Sequence, residues 1–190
     1  MPVEIEIKLR VDHLAPVRDK VKALGAKLIG EVMETNIFLD TPDRALLASD
    51  CGLRIRRARD LVAAGKESLI ITYKGPRGEG ETVKRREEIE CAVDSLDSAV
   101  ELLSRLGYQR MLTFEKRRES WKLGRCRIEL DTLPHLGSFV EIECNSENEI
   151  LRVQQKLGLA EHASVVQTYA DLVSHFLSDQ GKDEDSLTFT

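Results

Sequence analysis

Four charged side chains stand at alternate positions near the start of the chain: Glu4, Glu6, Lys8 and Arg10, interleaved with Val3, Ile5, Ile7, Leu9 and Val11. Strict alternation of this kind is the pattern of a β-strand with one apolar and one charged face. Two carboxylates followed by an ammonium and a guanidinium can hold a metal ion and an anion together. Carboxylate oxygens are hard donors suited to Mg²⁺ or Mn²⁺. Guanidinium forks match phosphate oxygens two at a time, and lysine adds a point charge. A charged face is ordinarily the wet side of an antiparallel sheet, so one such strand proves little.

The same phase returns along the chain. Arg54 and Arg56 oppose Leu53 and Ile55, and Thr72 and Lys74 oppose Ile71 and Tyr73. Lys84, Arg86, Glu88 and Glu90 share a face opposite Ile89 and Cys91. Lys116 and Arg118 share another, where Phe114 breaks the alternation. Arg127, Glu129 and Asp131 oppose Ile128 and Leu130, and Glu141 and Glu143 oppose Val140 and Ile142. Arginine and glutamate dominate nearly every strand, in place of the mixed Thr, Ser, Gln and Lys of a solvated face. Burying so many charges is tolerable only if they pair or coordinate an ion. An interior lined this way suits a polyanion and its divalent metals, and phosphoryl transfer asks a protein mainly for charge neutralisation and alignment.

The elements that must position these residues follow from the same periodicity. Strands are expected at Lys27–Leu39, Leu53–Ala58, Ser68–Lys74, Thr82–Val93, Tyr108–Arg118, Ser120–Leu123, Arg127–Leu133 and Ser138–Cys144, after the first one. The Gly/Pro-containing segment from Gly75 to Gly80 marks a tight connection. Glu-Ile-Glu occurs three times, at Glu4, Glu88 and Glu141, and each copy precedes a helical stretch that ends in Leu-Gly (Leu24-Gly25, Leu106-Gly107, Leu157-Gly158). Glycine is the expected helix stop, and Asp12, Ser95 and Ser146 are the candidate N-caps. A last amphipathic helix is expected from about Ser164 to Leu177. Residues 179–190 are acidic and aperiodic and read as a mobile tail beyond a single domain at 1–178. Strands joined mainly by short turns predict an α+β fold: a closed eight-stranded antiparallel β-barrel with helices packed outside.

Composition narrows the function classes. The chain has 190 residues, a formal net charge of −5 and 5% aromatic residues, which argues against nucleic-acid binding by bulk charge or base stacking. Cys51, Cys91, Cys126 and Cys144 are far apart with no CxxC pair, and are expected to be reduced thiols. His13, His135, His162 and His175 show no ligand spacing. No apolar run is long enough to span a bilayer, and a cytoplasmic protein, monomer or homodimer, is expected.

The ordered set Glu4-x-Glu6-x-Lys8, Leu53-Arg54-Ile55-Arg56, Thr72-Tyr73-Lys74-Gly75-Pro76, Arg86 to Glu90, Lys116 to Trp121, Ile128 to Asp131 and Leu136 to Glu143 resembles the CYTH superfamily, the triphosphate tunnel metalloenzymes. The wording is closest to class IV adenylyl cyclase-like members. The resemblance implies a tunnel that binds a triphosphate through Lys8, Arg54, Arg56, Lys74, Lys116 and Arg118, with Lys8 and Lys74 catalytic. It implies that Glu4, Glu6, Asp131, Glu141 and Glu143 hold Mg²⁺ or Mn²⁺, with Arg10, Arg86, Glu88, Glu90, Arg127 and Glu129 supporting them. It also implies that the C-terminal helix around Tyr169 closes one tunnel end.

The resemblance leaves the reaction open. ATP can be cyclised to cyclic AMP with loss of pyrophosphate, or the terminal phosphate of tripolyphosphate or thiamine triphosphate can be hydrolysed. The same clamp serves both. A polyphosphate-binding module without turnover is the non-enzymatic alternative.

Overall fold

The structure, a computed structural model, describes residues 3–63, 65–77, 84–181 and 185–189, the side chains of residues 3, 4, 77, 84 and 85 excepted. Along the chain run β1 (Val3–Val11), α1 (Leu14–Ala23), β2 (Lys27–Asp40), α2 (Ala45–Ala48), β3 (Gly52–Asp60), β4 (Glu67–Arg77), β5 (Lys84–Ala92) and α3 (Leu96–Arg105). These are followed by β6 (Gln109–Leu123), β7 (Cys126–Leu133), β8 (Gly137–Glu143), α4 (Glu147–Lys156), α5 (Tyr169–Asp179) and β9 (Ser186–Leu187). The eight long strands form one curled antiparallel sheet in the order β2-β3-β4-β5-β1-β8-β7-β6, and β2 also pairs with β6. Each of the eight therefore has a hydrogen-bonded neighbour on both sides, which removes the exposed edges that invite aggregation.

Register aligns the charged phases. Lys8 stands opposite Glu141 and Glu6 opposite Glu143. Glu129 stands opposite Glu141 on the other flank of β8, and Arg118 opposite Asp131. The opposite faces carry the outer core. Ile7, Leu9, Ile128, Leu130, Val140 and Ile142 pack with Val17 and Val21 of α1 and with Ile150, Val153 and Leu157 of α4. A second outer cluster joins Ile37, Leu39, Leu53 and Ile55 to Ala99 of α3.

A third cluster lies on the charged phase itself. Leu112, Phe114, Leu133 and Phe139 meet Tyr169, Val173 and Leu177, one helical stripe of α5. Phe114 thus continues the inward face of Lys116 and Arg118, and the sequence-based break in alternation is the start of an apolar plug.

The helix signals hold in part. Ser95 and Ser146 cap α3 and α4 through their side chains, accepting from Ser98 N and Glu149 N. α1 starts after His13 instead of Asp12, without a side-chain cap. Gly25 and Gly158, at φ of +76° and +68°, end α1 and α4 where a β-carbon would be strained. The last helix begins at Tyr169, five residues later than expected, because Ser164 bridges to Leu9 and Val165 N donates to Lys8 O. The two segments expected at 108–118 and 120–123 are one strand, β6.

Two expectations are corrected. Ser186–Leu187 of the supposed mobile tail pair with Thr113 and Phe114 of β6, because Leu187 has an apolar berth beside Phe114; residues 182–184 and 190 lie outside the described residues, as do 78–83 of the Gly/Pro connection and of the strand after it. Cys126 and Cys144 are joined in a disulfide. The β7–β8 register, Arg127 opposite Glu143, makes them a facing pair with Cα atoms 4.4 Å apart; no sequence spacing reveals a cross-strand partner 18 residues away. Cys51 and Cys91 are free. Alkylation under denaturing conditions without reductant should therefore add two groups by intact mass, and reduction beforehand should raise this to four.

Candidate active site

The inward faces of the sheet enclose a cavity of about 290 Å³, lined by charges of both signs. The two signs are concentrated on different walls, with Arg127 of β7 and the mixed Arg86, Glu88 and Glu90 of β5 as exceptions. One wall, from β3, β4 and β6, carries Arg54, Arg56, Lys74, Lys116 and Arg118; the other, from β1, β7 and β8, carries Glu6, Glu129, Glu141 and Glu143, with Lys8 among them.

On the basic wall, buried Arg54 donates to Thr72 Oγ1 at 3.0 Å, and Thr72 donates to Glu90 Oε1 at 3.1 Å. Arg56 Nε reaches Asn36 Oδ1 at 3.3 Å and Glu34 Oε2 at 3.4 Å. Glu34 also takes Lys116 Nζ at 3.3 Å. Burial, and after it the neighbouring Arg56, lower the proton affinity of Arg54 despite Glu34, Glu88 and Glu90. Lys116 is lowered as well, by burial and then by Arg118. Both shifts report positive charge that its surroundings do not fully compensate.

Where the walls meet, Arg118 grips Asp131 with two hydrogen bonds of 2.7 and 2.6 Å and also binds Glu141. Lys8 Nζ lies 3.4 Å from Glu141 and donates to Gln167 O at 3.1 Å. Lys74 pairs with Glu88, and Arg86 donates to the carbonyls of Gly75 and Asp50 at the cavity mouth. On the acidic wall, Arg118 Nε and Arg127 Nε stand 3.9 and 3.7 Å from Glu129. Burial pushes the Glu129 carboxyl above its usual range, only partly opposed by Arg118.

Among the described residues, three buried atoms of the cavity lining lack a hydrogen bond: the donors Arg54 Nε and Asn36 Nδ2 and the acceptor Glu129 Oε2. Orphaned groups of this kind are costly unless something else satisfies them. An anion would satisfy the first two and a cation the third. The donor set of Glu6, Glu129, Glu141 and Glu143 therefore fits a divalent ion in type, although among the described residues no three carboxylates, imidazoles or thiols are already gathered to hold one.

Most of the residues expected from the sequence converge: Glu6, Lys8, Arg54, Arg56, Lys74, Arg86, Glu88, Glu90, Lys116, Arg118, Arg127, Glu129, Glu141 and Glu143 all line the cavity. Glu4 lies on β1 opposite Arg86, but its side chain is outside the described residues. Two do not converge. Asp131, expected among the metal ligands, shares the inward phase but is fully buried, with its oxygens taken by Arg118, Lys116 and Tyr169. Arg10 is turned away at the plug, its guanidinium over Phe139 and donating to Leu136 O.

Sequence reasoning missed Glu34 and Asn36. They alternate with Thr35 and Ile37, a signal present but hidden because Phe38 occupies the charged phase. It also missed Asp50 and Asp171 at the cavity, which no strand pattern could have found.

Residues 2–169 match the CYTH domain family. A Methanocaldococcus jannaschii protein named "Putative adenylate cyclase MJ0240" is 26% identical over 179 residues, 90% of this chain and 98% of that one. The Aeromonas hydrophila protein named adenylate cyclase CyaB is 27% identical over 149 residues, 78% of this chain and 72% of its own. The solved PH1819 protein of Pyrococcus horikoshii OT3 has a TM-score of 0.77 at 27% identity, over 91% of this chain and 99% of that one.

Proposed function

The chain belongs to the CYTH domain family, and from that premise we propose that it is a divalent-metal-dependent enzyme that converts ATP to cyclic AMP and pyrophosphate, with the triphosphate held in a closed tunnel. The observation that carries this reading is the pairing of orphaned atoms: unfilled donors on the basic wall and an unfilled acceptor on the acidic wall of one cavity. The adenylate cyclase names of the Methanocaldococcus and Aeromonas relatives support the cyclase branch. A cytoplasmic location, where ATP is available, goes with it.

Arg54, Arg56, Lys116 and Arg118 would grip the phosphoryl oxygens, since guanidinium forks bind them bidentately. Glu6, Glu129, Glu141 and Glu143, with Glu4, would hold Mg²⁺ or Mn²⁺, which when bound neutralises phosphate charge and polarises the P–O bonds. In the cyclase step the ribose 3′-oxygen forms a bond to the α-phosphorus, the bond from that phosphorus to the bridging oxygen breaks, and pyrophosphate departs. The hydroxyl proton passes to a channel carboxylate. Lys74, held by Glu88 at the mouth, and Lys8, held by Glu141 at the inner end, neutralise the charge that develops on the phosphates.

A triphosphatase is the second reading, favoured by one observation. Among the described lining residues the aromatic faces are already occupied: Phe38 stacks on Phe114 with centroids 5.9 Å apart, and Tyr169 meets Phe139 and two lysines. An adenine base would have to share a ring that already has a partner. ATP, tripolyphosphate and thiamine triphosphate, each given with Mg²⁺ and Mn²⁺, decide between the branches: cyclic AMP and pyrophosphate mark the cyclase, orthophosphate the hydrolase. Absence of turnover with retained tripolyphosphate binding would leave the binding-module alternative.

The strand phase has its own test. Arg56→Ala should weaken tripolyphosphate binding by about 1.5–3 kcal/mol, the value of a charge-assisted contact. Arg57→Ala is the control, because Arg57 is half-exposed on the other face and pairs with Glu67 at 2.9 Å. Equal titration curves for the two variants would place Arg56 outside the site.

A further inference from the structure

Tyr169 is the first residue of α5 and the only aromatic ring among the described residues that carries two ammonium groups. Lys8 Nζ lies 3.8 Å and Lys116 Nζ 4.8 Å from its centroid. Its hydroxyl donates to Asp131 Oδ2 at 2.8 Å, the oxygen that also receives Arg118 at 2.6 Å and Lys116 at 3.3 Å. One side chain thus touches two cations of the inner end directly and a third through Asp131.

The ring is itself held in place. Thr168 and Asp171 form a reciprocal capping box around the first turn of α5, with Thr168 N donating to Asp171 Oδ2 at 2.8 Å. Phe139 meets the ring edge-on at 5.3 Å between centroids, and Val173 and Leu177 anchor the helix in the plug. The segment leading to Tyr169 is tied to β1, where Lys8 originates, by Val165 N to Lys8 O at 2.8 Å. Burial, then Asp131, hold the phenol well above its ordinary value, so it stays a donor. Both lysines also have carboxylate partners, Glu141 for Lys8 and Glu34 and Asp131 for Lys116; the ring quadrupole adds attraction for each cation without adding negative charge, and is worth more when desolvated.

We propose that Tyr169 is a positioning residue that holds Lys8 and Lys116 at the inner end of the cavity, so that both ammonium groups meet the terminal phosphate of the triphosphate. The inference rests on the triphosphate reading and adds a residue to it. The ring does the positioning, and the hydroxyl only trims Asp131, which Arg118 and Lys116 also hold.

Tyr169→Phe and Tyr169→Leu separate these roles. Tyr169→Phe should keep the tripolyphosphate Kd, and the kcat for whichever triphosphate is turned over, within about threefold of wild type, since both cation–π contacts survive. Tyr169→Leu should raise Kd about tenfold by losing them. Its kcat should fall about a hundredfold, the usual cost of misplacing reacting groups by about an ångström. Val153→Ala is the control: it loosens the outer core beneath α4, a cluster to which Tyr169 does not belong, so it should lower Tm and leave the Kd and kcat unchanged. A folded Tyr169→Leu protein with wild-type Kd and kcat overturns the inference, as does a Tyr169→Phe variant as impaired as Tyr169→Leu, or parallel kinetic losses in Val153→Ala. Wild-type protein that binds no tripolyphosphate overturns the triphosphate reading, and this inference with it.

Discussion

Glu6→Gln combined with Glu143→Gln should lower turnover of any triphosphate by at least about a hundredfold, the scale set by removing one preorganised electrostatic contact from a phosphoryl or acyl transfer site. The two residues face each other across β1 and β8 and both line the cavity. Glutamine keeps the shape and the neutral oxygen but removes the charge that draws a divalent ion. The loss should be in kcat at saturating metal, with a raised metal requirement, because the basic wall that grips the substrate is untouched. Thermal unfolding should change little, since neither residue belongs to the apolar clusters. A doubly substituted protein that unfolds normally and turns over at the wild-type rate would remove the acidic wall from the mechanism. EDTA should abolish wild-type turnover and be reversed by excess Mg²⁺ or Mn²⁺.

Glu34→Gln should have the largest effect on stability, about 3–5 kcal/mol, the usual cost of removing one partner from a buried ion pair. Glu34 is buried between Arg56 and Lys116. Burial alone would push its carboxyl up, but Lys116, then Arg56, Arg118 and Arg54, hold it well below the usual carboxylate range. The folded chain therefore favours the ionised form more than the unfolded chain, in which the group titrates near ~4.3. Its contribution is full above that pH and is lost as pH falls through it toward the lower folded value. The gap between wild type and Glu34→Gln in urea unfolding should thus be widest above about pH 5 and narrow below about pH 4. Tripolyphosphate should restore part of the lost stability at neutral pH, because the anion replaces the missing counter-charge. A pH-independent gap would mean that Glu34 acts by packing alone.

Much of this site was legible in one dimension. Residues i, i+2 and i+4 of a strand share a face whatever the strand pairs with, so Glu6 and Lys8, Arg54 and Arg56, and Glu141 and Glu143 could each be placed together by counting. Ser95 and Ser146 could be placed as caps for the same reason, since a cap bonds three residues away. Glu34 and Asn36 obey the same count but were obscured by Phe38, an apolar residue on an otherwise polar phase. That residue, like Phe114, belongs to the end of the cavity where the lining changes from charged to apolar.

The sequence by itself determined the alternation, and with it which side chains could share an interior. Only the tertiary structure decided what each interior charge meets. Asp131 and Glu129 are two residues apart on one strand with the same phase, yet one is consumed by Arg118, Lys116 and Tyr169 and the other keeps an unfilled oxygen. The Cys126–Cys144 bond, the return of Leu187 to β6 and the ring beneath Lys8 and Lys116 are likewise contacts between distant segments. Strand phase is a local property of an extended backbone, whereas partnership depends on register and on which helix fills the end of the sheet, and these are set by the packing of the whole chain.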